Sequence, residues 1–470
     1  MSPEADPAGG LVRRQASALE IFSQALAATG PSVGAAGVPA AVFLVAGTGT
    51  LWAILIAMVV VLLVAVCVSM HTRRSATAGS LSTFTRPGLG PGGAFASGWA
   101  LLIGYTMFAA ASIVLANLYL TGLLKELHVD GAGIRIVQAL MIVAISIPTV
   151  WAPLRGLSIS MRFALVLELV SLAVVLVIFV LTLIRHGAHV DTSLLTAKGA
   201  SWSHILLGVV VGVGAFTGFE SAASLGVEAR DPYRSIPRAI LGVSLGVGVL
   251  FLVAAYTEIV GFDGKFSASS APLNDLAVRT GLSGVSPIID IALTIAMLGC
   301  AAAVLNAGAR SLYTLAKEQV IPPVFGRTRK TVRTPHVAVL TLAPLAVVPA
   351  VVLSLTGTPA ITASVFFGVI GAFGFMTSYF LVSVATVVQL VKKRSSPLVA
   401  IAGTVAALSI AYVAFRNVVP APPMPFAALP YVYAGLLALG LIWFGYLWIT
   451  RPERARNAGS LEETEDMPCA

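Results

Sequence analysis

Charge is what this sequence has least of. Only 10% of its 470 residues are Asp, Glu, Lys or Arg, against roughly 25% in soluble domains. That deficit excludes a surface bathed in water on all sides. Cysteine is scarce as well, and Cys67, Cys300 and Cys469 are too few for a disulfide framework. The six histidines (His71, His128, His186, His189, His204 and His336) fall in expected loops or at the ends of apolar runs. No Cys or carboxylate set completes a metal site around them. A GxxxxGKS/T phosphate loop is missing, so nucleotide-driven work is unsupported, and no G-x-S-x-G nucleophile motif stands out. No cofactor is expected, and an enzyme would have only isolated carboxylates to work with.

Apolar residues take the place of charge, at 57% of the chain with mean hydropathy +0.94. Length alone would suggest about three soluble domains, but the apolar runs recur almost end to end and argue for one membrane unit over 17–450. A crossing needs about 20 mostly apolar residues. On that basis the sequence predicts twelve transmembrane helices, roughly at 18–46, 50–70, 97–124, 135–153, 158–184, 203–226, 237–261, 286–316, 335–356, 361–390, 397–416 and 428–450. Arg13 and Arg14 before the first run invite a signal-peptide reading, which fails because the run stays apolar to about Ala46. The flanks 1–16 and 451–470 read as short disordered ends.

The net charge of +9 does not indicate nucleic acid, because the basic residues sit in short loops between apolar runs. Their placement sets orientation. With the N-terminus inside, the inner loops hold Arg73, Arg74, Arg155, Arg230, Arg234, Lys392, Lys393, Arg394 and most other basic residues. The outer ones keep Lys125, Arg135, Arg185, Lys198, Lys265, Arg279 and Arg416. Both termini are expected to be cytoplasmic, at the plasma membrane.

Two runs carry helix-breaking residues near their middles. The first contains Ala28-Thr29-Gly30-Pro31-Ser32-Val33-Gly34. Proline removes a backbone donor and clashes with the preceding turn, and glycine weakens helix further. A simple proline kink is one reading and an interrupted helix the other. The sixth run contains Gly208, Gly212 and then Gly214-Ala215-Phe216-Thr217-Gly218-Phe219-Glu220, where small residues also suit close packing. The pair says more than either alone. Runs 1 and 6 occupy corresponding positions if 1–5 and 6–10 are two inverted repeats, over about 17–186 and 200–394, and paired interruptions point to a transport site. An unwound segment frees N–H groups that attract an anion and carbonyls that hold an ammonium group. A zwitterionic amino acid supplies both charges. Thr29, Gly30, Pro31, Ser32, Val33, Gly34, Ala215, Phe216, Thr217 and Gly218 are the resulting binding candidates.

These residues resemble the amino acid–polyamine–organocation (APC) permeases of bacterial type. The longest match is Phe216-Thr217-Gly218-Phe219-Glu220 followed by Glu228-Ala229-Arg230-Asp231-Pro232-Tyr233-Arg234-Ser235-Ile236-Pro237-Arg238, similar to the family's sixth-helix exit and following loop. Gly79-Ser80-Leu81 through Gly98-Trp99-Ala100 and Tyr105 is similar to its re-entrant segment and third-helix entry. Asn306-Ala307-Gly308-Ala309-Arg310-Ser311-Leu312-Tyr313 resembles the end of its eighth helix. The resemblance implies an all-α integral membrane protein with a LeuT-like 5+5 inverted repeat plus two C-terminal helices, helices 1 and 6 being discontinuous. It also implies a central site between helices 1, 3, 6, 8 and 10, with Tyr105 as a further contact. Thr29-Gly30-Pro31-Ser32 departs from the family's common Gly-Ser/Ala-Gly pattern, which leaves open which amides face a ligand.

Glu168 lies about mid-way along the fifth run. A charged group there costs ~2.5–3.5 kcal/mol on insertion scales, which makes it a functional candidate. It is read as the coupling residue, suited to take up and release a proton. A structural carboxyl hydrogen-bonded to a neighbouring helix is the other reading. Glu220 is read foremost as pairing with arginines near the cytoplasmic side, with proton uptake and ordering of the unwound backbone as the alternatives. Phe216 and Phe373 are gate candidates, with core packing the alternative for each. The segment 267–284, with Pro272 and Asp275, is expected to be a lid. The whole implies a secondary active transporter moving an amino acid or related amine by alternating access with proton coupling. A carrier of polyamines or other organic cations is the alternative, and a transport-like nutrient sensor is a more distant one. The expected partners are a small-molecule substrate, a proton and the lipid bilayer, with oligomeric state unread.

Overall fold

A computed structural model describes residues 10–126, 134–186, 199–262, 271–282 and 284–460. The chain starts its first helix, α1 (Ala18–Thr29), with a capping box. The Ser17 hydroxyl accepts from the Glu20 amide and the Glu20 carboxylate accepts from Ser17 N–H, so two orphan donors of the first turn are satisfied reciprocally. There follow α2 (Pro31–Ala46), α3 (Thr50–Thr72), α4 (Leu81–Glu126), α5 (Ile134–Leu154), α6 (Leu157–Arg185), α7 (Trp202–Gly214) and α8 (Pro232–Gly261). Then come α9 (Pro272–Arg279), α10 (Ser286–Lys317), α11 (His336–Leu355), α12 (Ala360–Lys393), α13 (Pro397–Arg416), α14 (Leu429–Thr450) and α15 (Pro452–Arg456). Among the described residues the only extended pairing is one parallel bridge between Ala16 and Ala229.

Eleven stretches are long and apolar enough to cross a membrane. The count differs from twelve because Ala18–Thr72 runs as a single 55-residue apolar stretch. Large apolar side chains point outward along α5, α6, α13 and α14, with Leu140, Val166, Leu408 and Ile442 among the exposed. A water-soluble fold would not leave so much apolar surface bare, whereas lipid covers it at no cost. The interior is built on α10, whose side chains are buried from Gly299 through Ala316. Small residues let backbones meet there. A Cβ on Gly299 would lie 3.1 Å from the Ala164 carbonyl of α6, and one on Gly374 would lie 2.5 Å from the Ala100 carbonyl, where α12 crosses α4.

Several expectations need correction. α4 begins at Leu81, well before the predicted 97, and bends at Gly90 (φ 69°, ψ −171°) between Pro87 and Pro91. The stretch before Gly90 is helix, so the polar, glycine-rich composition of 79–92 hid a bent helical entry. α8 starts at Pro232 and not near 237. Pro232 opens the helix, where its missing donor costs nothing, while Pro237 lies inside it and forfeits one i→i−4 bond in the second turn.

Neither flank is wholly disordered. Leu11 is buried against Ala78 and Tyr313. The amides of Arg14, Gln15 and Ala16 bond to Val227 and Glu228 carbonyls at 3.2, 2.8 and 2.7 Å. At the other end α15 buries Ala455, and Arg86 donates to the Ala458 carbonyl at 2.8 Å. Residues 1–9 and 461–470 lie outside the described residues. So does most of the expected lid before Pro272; the part described is α9, which buries Leu273, Leu276 and Ala277.

Candidate functional site

The helix that starts at Ala18 stops at Thr29, because the next residue, Gly30, is left-handed (φ 61°, ψ 53°). Glycine takes that conformation without a Cβ penalty. Gly30 closes α1 by donating to the Leu26 carbonyl at 3.2 Å and is also the residue from which α2 starts, with Pro31 in its first turn. The Thr29 hydroxyl turns back to the Ala25 carbonyl at 2.8 Å.

The second break has different chemistry. α7 ends at Gly214, and Ala215, Phe216 and Thr217 form a turn. Gly218 is again at positive φ (111°), and a 3₁₀ segment runs Phe219–Leu225. The Thr217 hydroxyl donates to the Gly214 carbonyl at 3.2 Å. The two breaks meet. A Cβ on Gly218 would overlap the Ala28 carbonyl and come within 3.0 Å of the Thr29 amide nitrogen. Only glycine fits both the conformation and the space. The structure thus brings Thr29, Gly30, Ser32 and Gly218 into one buried neighbourhood, with Val33, Gly34 and Ala215 half-buried beside it.

Glu168 reaches this neighbourhood from α6. Its carboxylate Oε1 accepts the Ser32 amide at 2.8 Å, the side chain is 0% exposed, and Oε2 has no partner. The Ser32 hydroxyl lies beside the same carboxylate without completing a well-formed hydrogen bond. From α10, Cys300 Sγ lies 3.5 Å from the Ala28 carbonyl and 3.5 Å from the Ser112 hydroxyl of α4.

Glu220 does not pair with an arginine. Its oxygens accept from the Tyr105 hydroxyl at 2.9 Å, from the Gly218 amide at 3.1 Å and from the Tyr379 hydroxyl. A buried carboxylate demands such donors, and the ones within reach come from α4, α12 and the break itself. Glu220 therefore ties down the unwound backbone, and Tyr105 reaches the site through this carboxylate. Phe216 is buried and meets Phe251 of α8 edge-on at 5.2 Å. Phe251 in turn lies under Gly34, where a Cβ would come to 2.5 Å from its ring.

Phe373 is not at the breaks. It stacks on Tyr433 of α14 at 5.6 Å. Two residues on, Phe375 lies about 200° around the helix and packs edge-on against Tyr105 at 5.2 Å. Phe375 and Tyr379, not Phe373, are the aromatic residues α12 turns inward; on an all-apolar helix the pattern does not mark the inner face.

Below the breaks lies a buried ion pair that the sequence concealed among loop charges. Arg310 of α10 holds Glu228 through Nε–Oε2 at 2.5 Å and Nη2–Oε1 at 2.8 Å, with both side chains at most 2% exposed. Arg310 also donates to Asn306. Asn306 donates to Gln24 Oε1 at 2.9 Å, and Gln24 Nε2 to the Ala303 carbonyl at 2.8 Å. The i,i+4 spacing of Asn306 and Arg310 was the available signal. Among the described residues no group of three potential metal ligands exists.

The profile described as "Amino acid permease" matches residues 22–458. The chain is 27% identical over 304 residues to the low-affinity putrescine importer PlaP of Escherichia coli K12, covering 62% of this chain and 64% of that protein. It is 27% identical over 325 residues to the branched-chain amino acid permease BcaP of Lactococcus lactis, covering 64% and 68%. In fold it is similar to Mhp1, a nucleobase-cation-symport-1 family transporter, with TM-score 0.56 at 13% identity over 97% of this chain and 100% of that one.

Proposed function

The chain belongs to the amino acid permease family, and from that premise we propose that its two apposed breaks bind the transported molecule. It is a multi-pass membrane transporter. The cargo we assign is an amino acid or related amine, moved by alternating access. The observation that carries this reading is the contact between Gly218 and the Ala28–Thr29 backbone, which puts the end of one helix, the start of another and an unwound loop at one buried point. Such helix ends present oriented amides and carbonyls to a charged ligand.

In this reading Ala18–Thr72 holds two crossings, α1 with α2 and then α3, which gives twelve. The first is interrupted at Gly30 and the sixth at 215–218. Helices α1–α6 and the run from α7 to α12 are the two inverted repeats of a LeuT-like fold, with α13 and α14 appended. Both termini are cytoplasmic at the plasma membrane. In support, Leu11 and Arg86 anchor the two described ends against the same 77–86 segment. Glu168 is the coupling group. Protonation would remove its charge and loosen its hold on the Ser32 amide, linking proton occupancy to the geometry of the break. Ser32 and Cys300 are the polar residues that face it from α2 and α10.

Uptake into proteoliposomes with imposed pH or Na⁺ gradients tests this. Uptake should follow the pH gradient in the native protein and ignore it in Glu168→Gln. Robust uptake that ignores pH, with Glu168→Gln unchanged, refutes the coupling. Bulky replacement of Gly218 that leaves binding intact refutes the site. A carrier for amines is the second reading, favoured by the similarity to an importer of putrescine.

A further inference from the structure

An α-helix opens with backbone N–H groups that lack intrahelical partners, and a substrate carboxylate is recognised by donating them. At the start of α2 these donors are nearly used up. Pro31 has none. The Ser32 amide is given to Glu168 Oε1 at 2.8 Å, and the Gly34 amide to the Gly30 carbonyl at 3.0 Å. Val33 is what remains of the first turn.

The chain has thus installed its own carboxylate where a ligand's would go. Glu168 is wholly buried, and it arrives on α6, a different helix, aimed at the break. Its second oxygen is unpartnered, and so are the hydroxyls of Ser32 and of Ser171, one turn along α6. Oε2 can only accept, while each hydroxyl can accept or donate. Among the described residues no Lys, Arg or His forms an ion pair with Glu168. The other buried carboxylate near the breaks, Glu220, is already held by two tyrosines and an amide.

We infer that Glu168 is a specificity-determining residue that makes this site select a primary amine lacking an α-carboxylate over the corresponding amino acid. This rests on the breaks being the binding site. An ammonium group placed at Glu168 Oε2 satisfies the orphaned acceptors and neutralises the buried charge. A carboxylate in the same place meets the like charge of Glu168, with one amide and the two hydroxyls as its only donors. Glu220 already accepts from Tyr105, Tyr379 and the Gly218 amide, whereas Oε2 of Glu168 accepts from nothing. Proton and ammonium then occupy the Glu168 carboxylate in turn, so their movements are exchanged and not summed.

The test uses the full-length protein, purified in detergent and then in proteoliposomes, with matched pairs of probes. These are alanine and ethylamine, leucine and 3-methylbutylamine, phenylalanine and phenethylamine, and ornithine and 1,4-diaminobutane. Binding is read by calorimetry and transport by counterflow. In the native protein at least one amine should bind tenfold or more tightly than its amino acid. Glu168→Gln should weaken that amine at least tenfold more than it weakens the paired amino acid, and Glu168→Asp should restore part of the preference. The native comparison decides the matter even if Glu168→Gln does not fold. Tighter binding of the amino acids in every pair overturns the inference and leaves the site reading standing. Binding that is insensitive to a bulky Gly218 replacement, or no binding of either class, overturns both.

Discussion

Glu228→Gln removes one charge from the buried pair beneath the breaks and keeps its shape. Arg310 is 0% exposed and Glu228 2%, so the guanidinium left behind cannot reach water. Breaking a buried pair from one side costs about 3–5 kcal/mol, because an uncompensated charge remains. An exposed pair would cost about 0.2–1 kcal/mol. The two cases are well separated and can be told apart by reversible unfolding in mixed micelles titrated with SDS. Glu228→Met, Arg310→Met and the double variant carrying both form a cycle. Removing both charges should recover most of the loss, because replacing a buried pair by apolar residues is often neutral or stabilising. The coupling energy between the two positions should then be several kcal/mol, well above the ~0.3–0.5 kcal/mol scatter of independent sites. A single-variant cost below about 1 kcal/mol, with additive behaviour in the double variant, would refute the claim that Arg310 and Glu228 act as a desolvated pair.

Other positions give sharper contrasts between stability and transport. Phe373→Ala should destabilise by about 3–5 kcal/mol through loss of its stack on Tyr433, with substrate affinity unchanged in binding assays, since the ring faces α14. Tyr379→Phe and Tyr105→Phe each remove a donor from buried Glu220 and should cost about 1–3 kcal/mol, with binding weakened as the unwound segment loosens. Gly34→Ala drives a methyl into the Phe251 ring and should cost about 1–3 kcal/mol by overpacking; Phe251→Leu in the same protein should recover part of the lost uptake. Deleting 451–470 removes the Arg86–Ala458 hydrogen bond and the buried Ala455, lowering stability by about 1–2 kcal/mol in the same unfolding assay.

Much of this protein was legible in one dimension because lipid imposes a one-dimensional rule. Every crossing must satisfy its own backbone, so apolar length alone announces a helix. The expected bounds of α3, α10, α13 and α14 therefore fall within a few residues of those observed. Gly30-Pro31 and Gly214–Gly218 were legible for a related reason, since positive φ and a missing donor are properties of the residues themselves. Tertiary structure alone decided what the polar groups do. Glu168 reads as a lone carboxyl in an apolar run, and its bond to the Ser32 amide joins residues 136 positions apart. Glu220 looked like a partner for nearby arginines but belongs to Tyr105 and Tyr379. Arg310 read only as a basic residue near the end of the eighth helix and is among the most buried side chains present. On a helix that is apolar all round no periodicity marks the inner face, so Phe373 and Phe375 were indistinguishable. Only the packing of α12 between α4 and α14 turned one inward and the other away.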